Sequence, residues 1–110
     1  MAKRSFRVRW AEAAVRDLEE LMGYIAADSP INADRILDKL ETRVRTLKSA
    51  PSRGRVVPEL AHFGMRSWRE LIVKPYRIIY RVDEGTVNVL AVLDGRRELQ
   101  DVLLERLIRE

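Results

Sequence analysis

The first residues of the chain change from a two-residue pattern of apolar positions to a helical one. Phe6, Val8 and Trp10 alternate with arginines, and apolar residues at every second position are typical of a strand buried on one face. From Ala11 onward, apolar residues recur three and four positions apart, which predicts an amphipathic helix. They are Val15, Leu18, Leu21, Met22 and Ile25. The chain is therefore predicted to begin with a strand followed by a helix.

A second helix is predicted directly after the first. Asp28-Ser29-Pro30 interrupts the helical pattern. Serine can cap the free amides of a helix start, and proline fits the first turn because an N–H there would be unpaired. The predicted buried positions are Ala33, Ile36, Leu37, Leu40, Val44 and Leu47, and the helix ends near Ala50-Pro51. Because so few residues separate the two helices, we predict an antiparallel helical hairpin.

Strands dominate the second half of the chain. We predict a loop over 51–64 and then three strands rich in β-branched and aromatic residues, at Trp68–Val73, Tyr76–Val82 and Val87–Leu93. The last strand is so apolar that we expect it to be covered on both faces. A short C-terminal helix over Leu99–Leu107 follows. Segregated helices and strands predict an α+β fold, with residues 1–110 forming one domain.

The second and third of these strands suggest a face for binding. A four-residue loop at Asp83–Thr86 would place Val82 opposite Val87, Tyr80 opposite Val89, Ile78 opposite Ala91 and Tyr76 opposite Leu93. That apolar face should receive the helical hairpin, which leaves Arg77 and Arg81 on the open side. A guanidinium suits phosphate or carboxylate. Two interpretations are equally favoured: the arginines bind an anionic partner, or they solvate the sheet and pair with Glu70 or Glu84.

Charge supports an anionic partner, and composition excludes several kinds of chemistry. The 21 Lys and Arg exceed the 17 Asp and Glu by only four, but Glu59 and Glu70 are the only acids between Arg43 and Arg81. The absence of cysteine excludes thiolate-zinc sites, and a single histidine, His62, excludes a metal site based on several histidines. No glycine-rich phosphate loop or catalytic-serine motif occurs. We expect no metal and no cofactor.

No segment predicts a membrane span or a signal for export. The longest nearly apolar run, Val87–Leu93, is far below the roughly 20 residues that a membrane helix needs. The first residues carry charge where a signal peptide needs an apolar stretch. We therefore expect a cytoplasmic protein that does not bind membranes.

A set of short motifs follows in order along nearly the whole chain. They are Val8-Arg9-Trp10 with Asp17-Leu18, Ser29-Pro30, Pro51-Ser52-Arg53-Gly54-Arg55 with Pro58-Glu59, Arg69-Glu70-Leu71, Tyr76 to Val82, and Gly95-Arg96-Arg97-Glu98. Each motif alone is weak, but the ordered set resembles the RelE/ParE family of toxins from type II toxin-antitoxin, or plasmid stabilisation, systems. The resemblance implies a growth-inhibiting toxin with an α+β fold.

The resemblance implies two alternative activities. RelE-like toxins are endoribonucleases, or mRNA interferases, that cleave messenger RNA in the ribosomal A site with basic residues and, in several members, a C-terminal tyrosine. ParE-like toxins inhibit DNA gyrase and are not known as nucleases. Carried over to this chain, the ribonuclease residues would be Arg69, Arg77 and Arg97.

Two leucines distinguish this chain from the ribonuclease pattern. Leu71 stands nearest to the position of a second lysine, and Leu103 stands at the position of the tyrosine. Leucine can neither donate nor accept a proton, so the pattern lacks a general acid or base. This favours ParE-like inhibition of gyrase by binding, without enzymatic activity. The ribonuclease and an inactive member of the fold stay as alternatives.

The family resemblance also implies partners. A cognate antitoxin is expected to fold onto the toxin, and the groove beside Leu99, Leu103 and Leu107 is the predicted docking site. Gyrase is the expected target, with the ribosome and messenger RNA as the alternative. The candidate residues for target or anion binding are Arg77, Arg81, Arg96 and Arg97. The sequence leaves a homodimer open, because no self-complementary patch indicates one.

Overall fold

A five-stranded mixed sheet packs against a helical hairpin. The computed structural model describes residues 5–95 together with Val102 and Arg106. In chain order, the elements are β1 (Arg7–Trp10), α1 (Glu12–Asp28), α2 (Pro30–Arg45) with a 3-10 turn (Thr46–Lys48), β2 (Arg55–Val56), α3 (Pro58–Ala61), β3 (Trp68–Val73), β4 (Tyr76–Asp83) and β5 (Thr86–Asp94). The predicted α+β class, with a strand followed by two helices and then three strands, is confirmed.

The strand order in the sheet is β1-β5-β4-β3-β2. β1 lies parallel to β5, whereas the other neighbours are antiparallel. The last three strands form the predicted meander. Neither the position of β1 beside β5 nor the strand β2 was predicted from the sequence.

The helical hairpin forms as its capping residues predict. The Ser29 hydroxyl accepts a hydrogen bond from the Asn32 amide at 3.2 Å, and Pro30 occupies the first turn of α2. The Ser29 amide also donates to the Ile25 carbonyl at 2.9 Å, so one residue ends α1 and starts α2. On the inner side of the hairpin, Ala14 and Leu40 are fully buried.

Apolar clusters cover both faces of the sheet. Between the hairpin and the sheet lie Ala14, Leu40, Val44, Leu47, Leu71, Val73, Ile78, Tyr80, Val87, Val89 and Val92. On the outer face lie Val57, Leu60, Trp68, Ile79, Ala91 and Leu93. The expectation of an open second face is therefore wrong along this stretch. The segment expected to be a loop contains β2 and α3, which place Val57 and Leu60 on the sheet.

The hairpin between β4 and β5 has a tighter turn than predicted. Glu84 and Gly85 alone form the loop, with φ of 41° and 80°. Asp83 pairs with Thr86, and the predicted pairs of Val82 with Val87 and Tyr80 with Val89 are confirmed. Two successive residues with positive φ match the right-handed twist of paired strands.

A β-bulge at Leu90 changes the register of the remaining pairs. Ile79 pairs with Ala91 and Ile78 with Val92, so the predicted pairs of Ile78 with Ala91 and Tyr76 with Leu93 are wrong. The extra residue turns Ala91 and Leu93 to the outer face. Because the strand is apolar at nearly every position, its sequence holds no alternation that would have revealed this shift. Its predicted burial is confirmed, since Val87, Val89 and Ala91 are fully buried.

Beyond Val89, the last residue of β5 that pairs with β1, side chains of α1 and of the C-terminal segment bind backbone groups of β5. The Val92 amide donates to Asp17 at 2.9 Å, and Arg106 donates to the Leu90 carbonyl at 3.1 Å. Arg106 also forms an ion pair with Asp17. Val102 and Arg106 are helical, in accord with the predicted C-terminal helix, whereas Leu99, Leu103 and Leu107 lie outside the described residues.

Tyr80 fixes the segment before β2 onto the sheet. Its fully buried hydroxyl accepts a hydrogen bond from the Gly54 amide at 2.8 Å and donates to the Pro51 carbonyl at 2.7 Å. Burial raises the pKa of Tyr80, so the hydroxyl keeps its proton as a donor. Arg69 holds the same segment by donating to the Gly54 carbonyl at 2.8 Å.

None of the helices within the described part of the chain is both long enough and apolar enough to span a membrane.

Gly54 should tolerate no side chain. A Cβ at this position would lie 2.5 Å from the Glu70 carbonyl oxygen and 2.7 Å from the Tyr80 ring and hydroxyl. We expect Gly54→Ala to lower the free energy of unfolding by roughly 1–3 kcal/mol, measured by urea denaturation. Gly23→Ala is the matched control, because nothing lies within 4 Å of its added Cβ in α1. That change should stabilise the protein by about 0.5–1 kcal/mol. Equal stability of the two variants would contradict the close approach at Gly54.

Candidate functional site

A cluster of four charged residues lies on the outer face of the sheet, and we call it the charge network. It consists of Arg55, Glu59, Glu70 and Arg77. Arg77 is only 9% exposed. Its Nη1 and Nη2 donate to the two carboxylate oxygens of Glu59 at 2.7 and 2.9 Å, and its Nε donates to Glu70 at 2.5 Å. The guanidinium is therefore held between two carboxylates.

Glu70 forms the buried centre of the charge network. Its side chain is fully buried, and its second carboxylate oxygen accepts a hydrogen bond from Arg55 Nε at 2.6 Å. Arg55 lies directly opposite Glu70 in the pairing of β2 with β3. A buried carboxylate is costly unless it is paired and hydrogen-bonded, and two guanidiniums meet that requirement. The network holds two positive and two negative charges and is neutral as a unit.

The ion pair between Glu59 and Arg77 shifts the pKa of each group in the direction that favours its charged form. Hydrogen bonds from Arg77 hold the pKa of Glu59 below its ordinary value of 4.5, although partial burial opposes this. The Glu59 carboxylate in turn raises the pKa of Arg77. Both groups are therefore charged at neutral pH.

The structure separates the arginines that the sequence analysis grouped together. Arg77 was expected on an open surface, but it is buried. Its contact with Glu70 agrees with the second interpretation, in which the arginines pair with acidic residues. Arg69 donates to the Gly54 carbonyl. Leu71 is buried in the cluster beneath the hairpin. Arg96, Arg97 and Leu103 lie outside the described residues.

Arg81 belongs to a second feature, a line of side chains across the sheet that we call the basic row. Successive strand pairings place Arg9 beside Asn88, Asn88 beside Arg81, and Arg81 beside Trp68. Arg81 lies over the Trp68 ring, with 5.5 Å between its guanidinium carbon and the ring centroid. Arg9 contacts Asn88 at 3.5 Å. Arg7, two residues before Arg9, is exposed like Arg9.

The basic row is balanced only in part by acidic side chains. Arg81 Nε donates to Asp83 at 3.0 Å, and the amide of Asn88 donates to the same carboxylate at 3.2 Å. The Arg81 side chain is 41% exposed, so this pair is weak in water. Arg81 was predicted from the sequence as a candidate for anion binding, whereas Arg7 and Arg9 were not. The alternation of these arginines with Val8 and Trp10 indicated which face they occupy, but not that β1 lies beside β5.

These two features differ in what they can do chemically. The charge network contains as many carboxylates as guanidiniums, whereas the arginines of the basic row outnumber Asp83, the one carboxylate that contacts them among the residues that the structure describes. Guanidinium groups donate hydrogen bonds and remain charged, so they bind anions but do not remove protons. Within the described residues, no group of three or more His, Cys, Asp or Glu side chains lies close enough to hold a metal ion. His62 packs edge-on against Phe63 in the loop after α3.

Removing Arg77 should cost far more stability than removing Arg81. Arg77→Met leaves the buried Glu70 carboxylate with Arg55 as its remaining cation, and breaking a buried pair costs about 3–5 kcal/mol. Arg81→Met breaks an exposed pair and should cost about 1 kcal/mol or less. Chemical denaturation of both variants measures the difference. Similar losses would show that the charge network is not a major source of stability.

The pair of Glu59 with Arg77 should give stability that depends on pH. Because the folded pKa of Glu59 lies below its ordinary value of 4.5, the pair stabilises the fold above that pH, and this stability is lost as pH falls through the folded pKa. We expect Glu59→Gln to be less stable than the wild type at neutral pH and the gap to close on acidification. Denaturation curves over a pH series measure this gap, with Glu41→Gln on the exposed face of α2 as control. A constant gap would contradict the ion pair.

Comparisons with known proteins agree on one family. The family model for the ParE toxin of type II toxin-antitoxin system, parDE, matches residues 8–99. A putative toxin, Y4kP, of Sinorhizobium fredii is 33% identical over 99 residues, which cover 88% of this chain and 96% of that protein. Toxin RelE2 of Caulobacter vibrioides is 33% identical over 92 residues, which cover 83% of this chain and 97% of that protein.

Solved structures share the fold. The structure described as the chromosomal ParDE TA system from P. aeruginosa has a TM-score of 0.63 at 19% identity, covering 81% of this chain and 95% of that one. The toxin-antitoxin complex RelBE2 from Mycobacterium tuberculosis has a TM-score of 0.58 at 23% identity, covering 84% and 94%. Because the family model and both relatives extend over most of the chain, the predicted resemblance is confirmed. The chain belongs to the ParE toxin family of type II toxin-antitoxin systems, within the RelE/ParE superfamily.

Proposed function

We propose that this toxin acts by binding DNA gyrase and inhibiting it, without cleaving RNA. The observation that carries the proposal is the state of the arginines that a ribonuclease would need. Arg77 is buried between Glu59 and Glu70, and Arg69 donates to a backbone carbonyl. A phosphate in transfer needs cations that are free to stabilise its developing charge, and these two side chains already serve internal partners.

The proposed target surface is the basic row. Arg9 and Arg81 lie on the outer face on either side of Asn88. Arg9 contacts Asn88, and Arg81 is paired with Asp83. Exposed cations of this kind raise the rate of association with an anionic surface. Arg96 and Arg97 are proposed to contribute further positive charge. Gyrase engaged on DNA would supply the complementary negative charge.

A cognate antitoxin is the proposed regulator. The neighbouring structures are described as toxin-antitoxin systems or complexes, and an antitoxin of this chain would cover apolar surface that the free toxin exposes. The proposed docking residues are Leu99, Leu103 and Leu107. The whole system is proposed to act in the cytoplasm, where its target is found.

The alternative is a RelE-like endoribonuclease that acts on ribosome-bound messenger RNA. It is supported by the name of the relative from Caulobacter vibrioides, Toxin RelE2. In that case Arg97 together with the exposed Arg81 would have to contact the phosphate, because Arg77 and Arg69 have internal partners.

Two assays on the purified toxin separate these functions. We expect loss of gyrase supercoiling, or trapping of cleaved DNA, and no new A-site cuts when primer extension is performed on translated messenger RNA. Adding the antitoxin should restore supercoiling. Normal supercoiling at saturating toxin together with A-site cuts would replace the gyrase proposal with the ribonuclease.

A charge reversal tests the proposed target surface. Arg81→Glu should weaken inhibition about tenfold or more, because it places a negative charge in the middle of the basic row. Arg35→Glu on the exposed face of α2 makes the same change in net charge away from that row and should inhibit like the wild type. Equal inhibition by the two variants would exclude the basic row as the surface that binds the target.

A further inference from the structure

Arg77 and Glu59 form a contact of the kind that proteins use to bind phosphate. Two nitrogens of one guanidinium face two oxygens of one anion at 2.7 and 2.9 Å. This parallel geometry is the same for carboxylate and phosphate ligands. The carboxylate of Glu59 therefore occupies the position that a phosphate bound to Arg77 would take.

The two carboxylates that hold Arg77 differ in their access to solvent. The Glu70 side chain is fully buried, whereas the Glu59 side chain is 34% exposed and that of Arg77 is 10% exposed. Glu70 fixes the guanidinium from the inside. Glu59 is the outer partner, and an anion coming from solvent would have to take its place.

The backbone of Glu59 is held in position by its neighbours. Val57 is fully buried and Leu60 is 1% exposed, and both pack into the outer apolar cluster. Pro58 starts the single turn of α3 between them. Because this backbone is anchored on both sides, the contact can open by rotation of the Glu59 side chain alone, without movement of a loop.

We propose that Glu59 closes a phosphate-binding site centred on Arg77, and that this contact keeps phosphate groups of nucleic acid away from that arginine. The site is built from the outer side of the Arg77 guanidinium, with Arg55 beside it on the same Glu70 carboxylate at 2.6 Å. Its ligand is an oxyanion of the phosphate class. The lowered pKa of Glu59 keeps the closing group negatively charged at neutral pH.

The closed site deepens the proposed function, because both rest on the contacts of Arg77 with Glu59 and Glu70, but phosphate binding is measured separately from supercoiling. It concerns which anion Arg77 accepts, and it holds or fails whether or not the toxin inhibits supercoiling. It would also give a physical reason for the absence of RNA cleavage that we propose, although Arg77 is present.

Inorganic phosphate is the probe for the closed site. It would be titrated into the full-length wild type, Glu59→Ala and Glu59→Gln, while two-dimensional NMR follows the Arg77 Nε–Hε signal. We expect no saturable shift in the wild type and a saturable shift in both variants, with phosphate affinity about tenfold or more above that of the wild type. Glu59→Gln keeps the size of the side chain and so remains informative if Glu59→Ala fails to fold.

Two control variants assign the binding to the closed site. Glu41→Ala removes one exposed negative charge from α2 and should leave phosphate affinity at the wild-type level. Arg77→Lys in the Glu59→Gln background keeps the positive charge but removes the two-nitrogen fork, and should abolish the gain. Because this variant has no arginine at position 77, its phosphate affinity is compared with that of Glu59→Gln by the Nε–Hε signal of Arg55, which contacts the same Glu70 carboxylate. The proposal is overturned if the wild type binds phosphate as tightly as the Glu59 variants, if Glu41→Ala gains equally, or if the gain survives Arg77→Lys.

Discussion

The buried carboxylate of Glu70 sets the conditions that the outer half of this fold must meet. A fully buried negative charge requires cations and hydrogen bonds within reach. Arg55 and Arg77 supply them from the two strands that flank β3. β2 is only two residues long, and the ion pair of Arg55 with Glu70 joins it to β3 in addition to the backbone pairing. The same carboxylate orients Arg77 toward Glu59, which ties α3 over the outer apolar cluster.

Local signals in the sequence predicted the elements well, but not how they pair. Ser29 and Pro30 specify the helical hairpin because capping depends on a few adjacent atoms. The β1–β5 pairing joins residues that lie far apart in the chain, and the sequence of β1 says nothing about its neighbour. The bulge at Leu90 was hidden for a different reason: a strand buried on both faces lacks the alternation that reveals register.

The position of Arg77 shows the same limit at the candidate site. Its strand and its face were predicted correctly, and its place in the family motif was recognised. Whether that face is exposed depends on whether the segment 51–64 packs against it. The alternation of residues in β4 cannot predict this. Glu59 and Glu70 are the only acids in a long basic stretch of the sequence. This isolation was the sequence signal that could have predicted their pairing with arginines. In the charge network, Arg55 and Arg77 are paired with carboxylates. The exposed arginines of the basic row leave positive charge at the surface.

The bulge at Leu90 also bears on how the protein unfolds. Before the bulge, β5 contributes Val87 and Val89 to the cluster under the helical hairpin; after it, Ala91 and Leu93 face the outer cluster. One continuous strand therefore belongs to both apolar clusters, and neither can lose its packing without disturbing the strand that supports the other. A sheet shared in this way joins the two sides of the molecule into one cooperative unit, which is expected to melt in a single transition.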